Sequence, residues 1–273
     1  MILANGISFS GGFIFTPPPP PPQNTAGWFG GGNEASNSTS TENRNTNATD
    51  TATASVRGPL SLARYNLAAV GNFTYGWFGG GFSVNTGSVY SIVDRITYAT
   101  DTATASVRGP LSLARFGLAA TGNTTDGWFG GGENPSGNVT TVNRITYATD
   151  TATASVKGPL NISTGFMGAS TDGTTYGWFA GGGPSLYSAV QRITYANDTA
   201  TASLRGPLSS SRYGISATGD STYGWFGGGR NPAAPGVVTT IDRITYATDT
   251  ATASIRGPLN TQTTLSGAAA GVQ

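Results

Sequence analysis

The chain contains no cysteine and no histidine in 273 residues. Disulfide frameworks are therefore excluded, and with them any reading of redox compartment. The ligand sets of the familiar zinc, copper and haem centres and every Cys–His nucleophile pair go the same way. Charge is scarce: Asp, Glu, Lys and Arg make up 10% of the residues and the formal net charge is +1. Such a surface has no basic stripe for nucleic acid and no field to hold it on an anionic membrane. Long apolar runs are missing too. Ile2-Leu3 and Phe13-Ile14-Phe15 are far too short for a membrane span, and residues 1–16 lack the basic start and extended apolar core of a signal peptide. No window keeps a 3.6-residue apolar period, which predicts essentially no helix. The glutamates number three, Glu34, Glu42 and Glu133, all in segments that vary along the chain. A glycosidase needs two carboxylates at a defined separation. The expectation is a non-catalytic protein with no cofactor and no metal.

What the chain has in place of these is repetition. Gly-Trp-Phe-Gly-Gly-Gly occurs at 27–32, 76–81, 127–132 and 224–229, and a fifth copy at 177–183 reads as carrying one extra residue, Ala180. The only tryptophans, Trp28, Trp77, Trp128, Trp178 and Trp225, fall 49, 51, 50 and 47 residues apart. A period near 50 signals a propeller, solenoid or array. From a recurring arginine to the next tryptophan the count is 33 for Arg44, Arg95 and Arg192 and 34 for Arg144. The return interval varies, so each repeat is a fixed block plus one loop of free length after the glycines.

Inside the block, residues 93–98 alternate β-branched and aromatic with polar types, as a strand does. Residues 101–108 alternate Ala with Thr or Ser and read as a strand of small residues closely sandwiched between sheets. Gly109-Pro110 breaks the run, residues 116–120 form another strand, and Gly122-Asn123 turns into Trp128. The fold class predicted is all-β, a five-bladed propeller with four antiparallel strands per blade. A blade is apolar on both faces and hides them only against other blades. The first copy lacks the strand before Trp28, and the C-terminus supplies one with no tryptophan after it. Ring closure is thus expected through pairing of residues 264–270 with 26–31.

Residues 1–16 precede six prolines, Pro17 to Pro22, a stiff polyproline spacer (17–23) ahead of the propeller at 24–273. An uncharged, strand-prone tip on a stalk reads as a peptide that docks on another protein, through Ile2, Leu3, Ile7, Phe9, Phe13, Ile14 and Phe15; the alternative is a strand folded back on the ring. The first repeat is degenerate. Glu42, Asn45 and Asn47 replace the apolar Val142, Ile145 and Tyr147, so the outer part of this blade (33–49) is expected to be loosely held or ordered by a neighbouring subunit.

Polar residues found in every copy read as scaffold. Asp101 and Arg108 and their counterparts sit at opposite ends of one expected strand, the strand arginines recur equally, and the five tryptophans are expected between blades; a sugar-stacking role is the sharper alternative. Function belongs where repeats differ, on the face that gathers residues 33–43, 82–93, 133–142, 184–190 and 230–241. Arg64, Arg115 and Arg212 open inner strands there, with Thr164 and Thr263 in the other two blades. Beside Tyr90, Glu133, Asn134, Tyr187 and Arg230 these arginines form a candidate site for an acidic or polyhydroxylated ligand. The competing reading has them capping backbone carbonyls.

GPLSLARFGLAATGNTTDGWFGGG (109–132), followed by Tyr147, resembles the kelch repeat: a proline, an arginine opening the inner strand, small apolar residues, an aromatic-Gly-Gly step and a tyrosine. The tryptophan departs from the family by standing just before the glycines. The near-identical repeats, uncharged leader and polyproline stalk are also similar to kelch-like structural proteins of tailed bacteriophages, particularly those of marine cyanobacteria. That resemblance implies a virion component of tail, neck or capsid decoration, at the particle surface and in multiple copies. It would dock on other virion proteins through residues 1–16 and adhere weakly to cell-surface glycans. A free lectin with repeated sites between blades is the alternative.

Overall fold

The computed structural model describes residues 25–34, 36–49, 51–183, 187–231, 236–261 and 268–270. The recurring block builds one sheet each time it occurs. In the third repeat an inner strand, Ala119–Gly122, pairs antiparallel with the tryptophan strand Asp126–Gly130. That strand pairs with the arginine strand Val142–Thr146, which pairs with the outer strand Ser155–Lys157. The second, fourth and fifth repeats give sheets of the same order, and the result is a five-bladed β-propeller. Short 3₁₀ turns such as Tyr98–Thr100 are the helical content described.

The blades of the second, third and fourth repeats bury apolar side chains on both faces, and the tryptophan strand shows why. Trp77 faces forward and Phe78 backward; Trp77 lies in one core cluster with Phe129, Ile145 and Tyr147 of the following blade. Phe78 packs in another with Trp28 and Leu60 of the preceding one. Each fully buried ring contributes about 2–3 kcal/mol of apolar transfer energy. Glycine is required where blades meet at the rim. A Cβ on Gly109 would overlap the main-chain carbonyl of Ala152 in the next blade. Gly109→Ala is therefore expected to cost about 1–3 kcal/mol, measured as a lower urea midpoint at unchanged m-value.

The first blade is assembled from both ends of the chain. Ala26–Glu34 and Asn37–Thr46 form a hairpin, Ser55–Arg57 is the outer strand, and Ala268–Ala270 supplies the inner strand. The closing register is Trp28 to Ala270, Phe29 to Ala269 and Gly30 to Ala268. This is the closure the sequence predicts; residues 264–267 lie outside the described residues, as do the expected docking residues of the leader.

Four expectations are corrected. The degenerate arginine strand of the first repeat forms within the single chain as a ten-residue strand. Its register with the tryptophan strand covers eight residue pairs, against five in the third blade. The segment 101–108 is not one strand: Asp101 caps the 3₁₀ turn and only Ser106–Arg108 is strand. That strand is not sandwiched: it is the edge strand of its sheet, and Val107 stays 58% exposed. Ala180 is not an insertion. It pairs with Gly168 as Gly130 pairs with Ala119, so it replaces a glycine, and the extra residue of this repeat falls in the preceding turn, between Thr171 and Tyr176, which holds Gly173 at φ 80°. Finally, Trp225 is half-buried while the other four tryptophans are at most 5% exposed. Asn47 stands where the other blades present a tyrosine to the preceding tryptophan. In the same blade, Phe29 is 48% exposed although its four counterparts are fully buried.

Candidate functional site

The residues common to all repeats are consumed at the seams. Trp77 Nε1 donates to Asp150 Oδ2 of the next blade at 2.9 Å, and Arg95 Nη1 donates to the same oxygen at 3.0 Å. Arg108 Nε approaches that carboxylate at 3.6 Å. The ring of Tyr147, 4.0 Å from that of Trp77, stacks on it at an interplanar angle of 8°. The same arrangement joins Trp28, Arg44, Arg57 and Tyr98 to Asp101, Trp128, Arg144, Lys157 and Tyr195 to Asp198, and Trp178, Arg192, Arg205 and Tyr246 to Asp249. The fifth would involve Asp50, outside the described residues. One carboxylate thus answers two cations and an indole N–H. Burial of the stacked tyrosines raises the Tyr147, Tyr195 and Tyr246 hydroxyls above the ordinary phenol range.

The arginines that open the inner strands are spent as well. Arg64 is fully buried; it donates to the carbonyls of Gly80 and Phe78 and to Asp94 Oδ2 at 2.9 Å. Arg212 does the same toward the Phe226 carbonyl and Asp242, 3.0 Å away. Desolvation lowers its pKa while Asp242 acts in the opposite sense. In the third blade Asn143, bonded to Ser112 Oγ, holds the register position of those two aspartates, so Arg115 has no carboxylate opposite it. Arg115 reaches the Phe129 carbonyl at 2.9 Å but leaves Nε and Nη1 without a partner, and burial lowers its pKa to about 10. None of the three presents surface to a ligand, so the carbonyl-capping reading describes them and the ligand-binding reading is corrected. The backbone places them at the mouth, but each side chain runs back into the blade. Asn143→Asp should supply the missing partner and stabilise the protein by about 2 kcal/mol, read as a higher melting temperature at pH 7.

The residues that differ between repeats do collect on one face. The hairpins Phe82–Ser83/Ser88–Val89, Glu133–Asn134/Gly137–Asn138 and Arg230–Asn231/Gly236–Val237 rise beside the starts of the inner strands, joined by the bridges Tyr65–Phe82, Phe116–Glu133 and Tyr213–Arg230. Neighbouring hairpins are tied sideways: Asn85 accepts from the Ser38 amide at 3.0 Å, and Asn138 Nδ2 donates to the Gly183 carbonyl at 3.0 Å. Glu133 and Asn134 are half-buried and Arg230 is exposed, but they sit on the third and fifth blades, which are not neighbours. Tyr90 and Tyr187 use their carbonyls to accept from the amides of Arg115 and Arg212, and the Tyr90 hydroxyl lies 2.8 Å from that of Thr86. The predicted polar set is therefore spread round the mouth rather than gathered into one pocket.

Aromatic rings occupy that mouth. Tyr65, Phe82, Phe116, Phe166 and Tyr213 form a half-buried arc with successive centroids 5.7, 5.8, 5.9 and 6.4 Å apart. The sequence carried a signal for it: an aromatic follows each strand-opening arginine. A main-chain belt lies with it. Gly117 N–H donates to Asn66, Phe166 N–H to Gly117 and Gly214 N–H to Phe166, each bond crossing a seam. The belt needs left-handed backbone, and Phe166 adopts it at φ 58° where Gly117 and Gly214 stand in neighbouring blades. A bulky residue there costs about 1–3 kcal/mol, held by its ring contacts on both sides. Below the mouth the hub encloses about 350 Å³, lined by small inner-strand residues such as Ala68, Ala119, Gly168 and Ala217. Among the described residues no three acidic side chains converge on a metal-sized site.

No protein-family model matches the chain, and no curated protein matches its sequence.

Proposed function

We propose that this chain is a non-catalytic structural protein of a phage particle. In this reading residues 1–16 dock it to another virion protein, and a kelch-like propeller displays its hairpin face outward for weak adhesion to host-surface glycans. The observation that carries the reading is the division of labour among side chains. Charged and aromatic groups shared by all repeats lock seams, while the differing residues and the aromatic arc Tyr65–Phe116–Phe166–Tyr213 share one face. Half-buried aromatic rings with polar hairpins beside them suit the apolar faces and hydroxyls of sugars. A free lectin with sites between blades is less well supported, because four of the five tryptophans are at most 5% exposed and stacked on tyrosine. Two preparations separate the parts of the reading. Deleting residues 1–16 should abolish incorporation into particles and leave glycan-array binding intact. Phe116→Ala should remove array binding and leave incorporation intact. Particles that assemble normally without the leader would refute the docking role.

A further inference from the structure

One seam position is filled differently in the first blade. Tyr75, Asp126, Tyr176 and Tyr223 begin their tryptophan strands, each opposite a threonine of the arginine strand, and Ala26 holds the same register opposite Thr46. The three tyrosine rings lie under the neighbouring guanidinium carbons at 4.3, 4.1 and 4.1 Å. They also meet the tryptophan of their own strand edge-on, with centroids 5.7, 5.8 and 5.6 Å apart. In the third blade Asp126 takes that place and its carboxylate stands 3.6 Å from Arg144 Nε. Ala26 offers neither ring nor carboxylate. A cavity of about 380 Å³ is left, walled by Thr25, Ala26, Trp28, Arg44, Thr46 and Tyr98, within the usual range of about 300–1,000 Å³ for small-molecule sites.

The walls specify what would fill it. The Arg44 side chain is 28% exposed against 18% for Arg95 and 17% for Arg192, and among the described residues no ring lies over its face; Arg144, where a carboxylate takes the place of the ring, is 30% exposed. Arg44 and Arg57 share the single carboxylate of Asp101, as the cation pairs at the other described seams share theirs, and the third blade adds a second carboxylate, Asp126, at this place. Trp28 is fixed by its stack on Tyr98, with ring centroids 3.9 Å apart, so the slot is preformed. It is no sugar platform, since Trp28 is only 5% exposed. We propose that the space beside Ala26 is a binding slot for a planar aromatic ring carrying a carboxylate, the ring lying on the Arg44 guanidinium as the tyrosine rings lie on theirs and the anion standing toward it as Asp126 stands toward Arg144. This site is separate from the hairpin face and does not depend on the glycan reading.

Benzoate is the probe, titrated into the full chain and followed by the tryptophan indole N–H signals. Wild type should bind one benzoate saturably and at least tenfold more tightly than cyclohexanecarboxylate, which has the charge without the flat ring. Ala26→Tyr should abolish binding and raise the melting temperature by about 2–4 °C, and Ala26→Asp should also abolish binding. Tyr75→Ala, which opens the equivalent slot in the second blade, should raise the stoichiometry from one to two. Absence of saturable benzoate binding to wild type, equal affinity for cyclohexanecarboxylate, or undiminished binding to Ala26→Tyr or Ala26→Asp would each overturn the proposal, as would a stoichiometry that stays at one in Tyr75→Ala.

Discussion

Glu42→Val should raise the melting temperature, and by far more at pH 9 than at pH 4. Glu42 is fully buried at the position where Val93, Val142 and Val190 pack against the next blade, and neither carboxylate oxygen has a hydrogen-bond partner. Burial, reinforced by the negative charges of Asp101 and Asp94, raises its pKa from 4.5 to about 8. Below pH 4.5 the group is protonated folded or unfolded and has no pH-dependent effect. Between pH 4.5 and about 8 the unfolded chain ionises while the folded one does not, so stability drains away at about 1.4 kcal/mol per pH unit. Above about 8 both states are ionised and the loss levels off. Summed over that window the deficit is about 5 kcal/mol, against which valine is inert. At about 2–4 °C per kcal/mol for a chain of this size, the variant should melt more than 10 °C above wild type at pH 9. Thermal scans at half-unit pH steps test this: the two curves must diverge between pH 4.5 and 8 and run parallel above. Parallel curves throughout would mean that Glu42 is ionised and solvated in the folded chain.

Asp150→Ala should be the most damaging single change at a seam. The carboxylate accepts from Trp77 Nε1 and Arg95 Nη1 and faces Arg108 Nε, and only 6% of its side chain is exposed. Removing it leaves two cations and an indole N–H facing an apolar seam. Stripping one partner from a largely buried pair costs about 3–5 kcal/mol, or about 10 °C in melting temperature. Asp150→Asn keeps one acceptor and should lose roughly half as much. The main-chain carbonyl of residue 150, which accepts from Gly109 N–H at 2.8 Å, survives either change. An Asp150→Ala loss below about 1 kcal/mol would match an exposed surface pair and would show that the carboxylate does not lock the seam.

These two residues also mark where sequence reasoning held and where it stopped. The tryptophan spacing revealed the blades and the missing inner strand, because both follow from counting along a strict repeat; Ala268–Ala270 beside Trp28–Gly30 is the outcome. Recurrence of Asp150 was enough to read it as scaffold. It could not place the side chain, since the Ala/Thr alternation after it mimics a strand while Tyr98–Thr100 and its counterparts tighten into 3₁₀ turns. For Arg64, Arg115 and Arg212 the sequence leaves ligand binding and carbonyl capping both open, for a related reason. Position along the chain puts them at the mouth, but the direction of a side chain depends on which carbonyls the neighbouring strand offers. Glu42 looked like a defect that would loosen its strand, whereas hairpin pairing holds the strand and the cost appears as a raised pKa. The vacancy at Ala26 becomes visible only once the register shows which residues share its place.

Closure of the ring by the chain's own end is the claim on which the rest depends, and backbone hydrogen exchange tests it most directly. In the intact chain the amides across the pairing Trp28–Gly30 to Ala268–Ala270 should be protected as strongly as those across Gly127–Gly130 and Ala119–Gly122. Deleting residues 262–273 should then expose the amides of 26–34 while those of the third blade stay protected. Unchanged protection at 26–34 after that deletion would contradict the account, for the first blade would be completed by something other than the C-terminal strand.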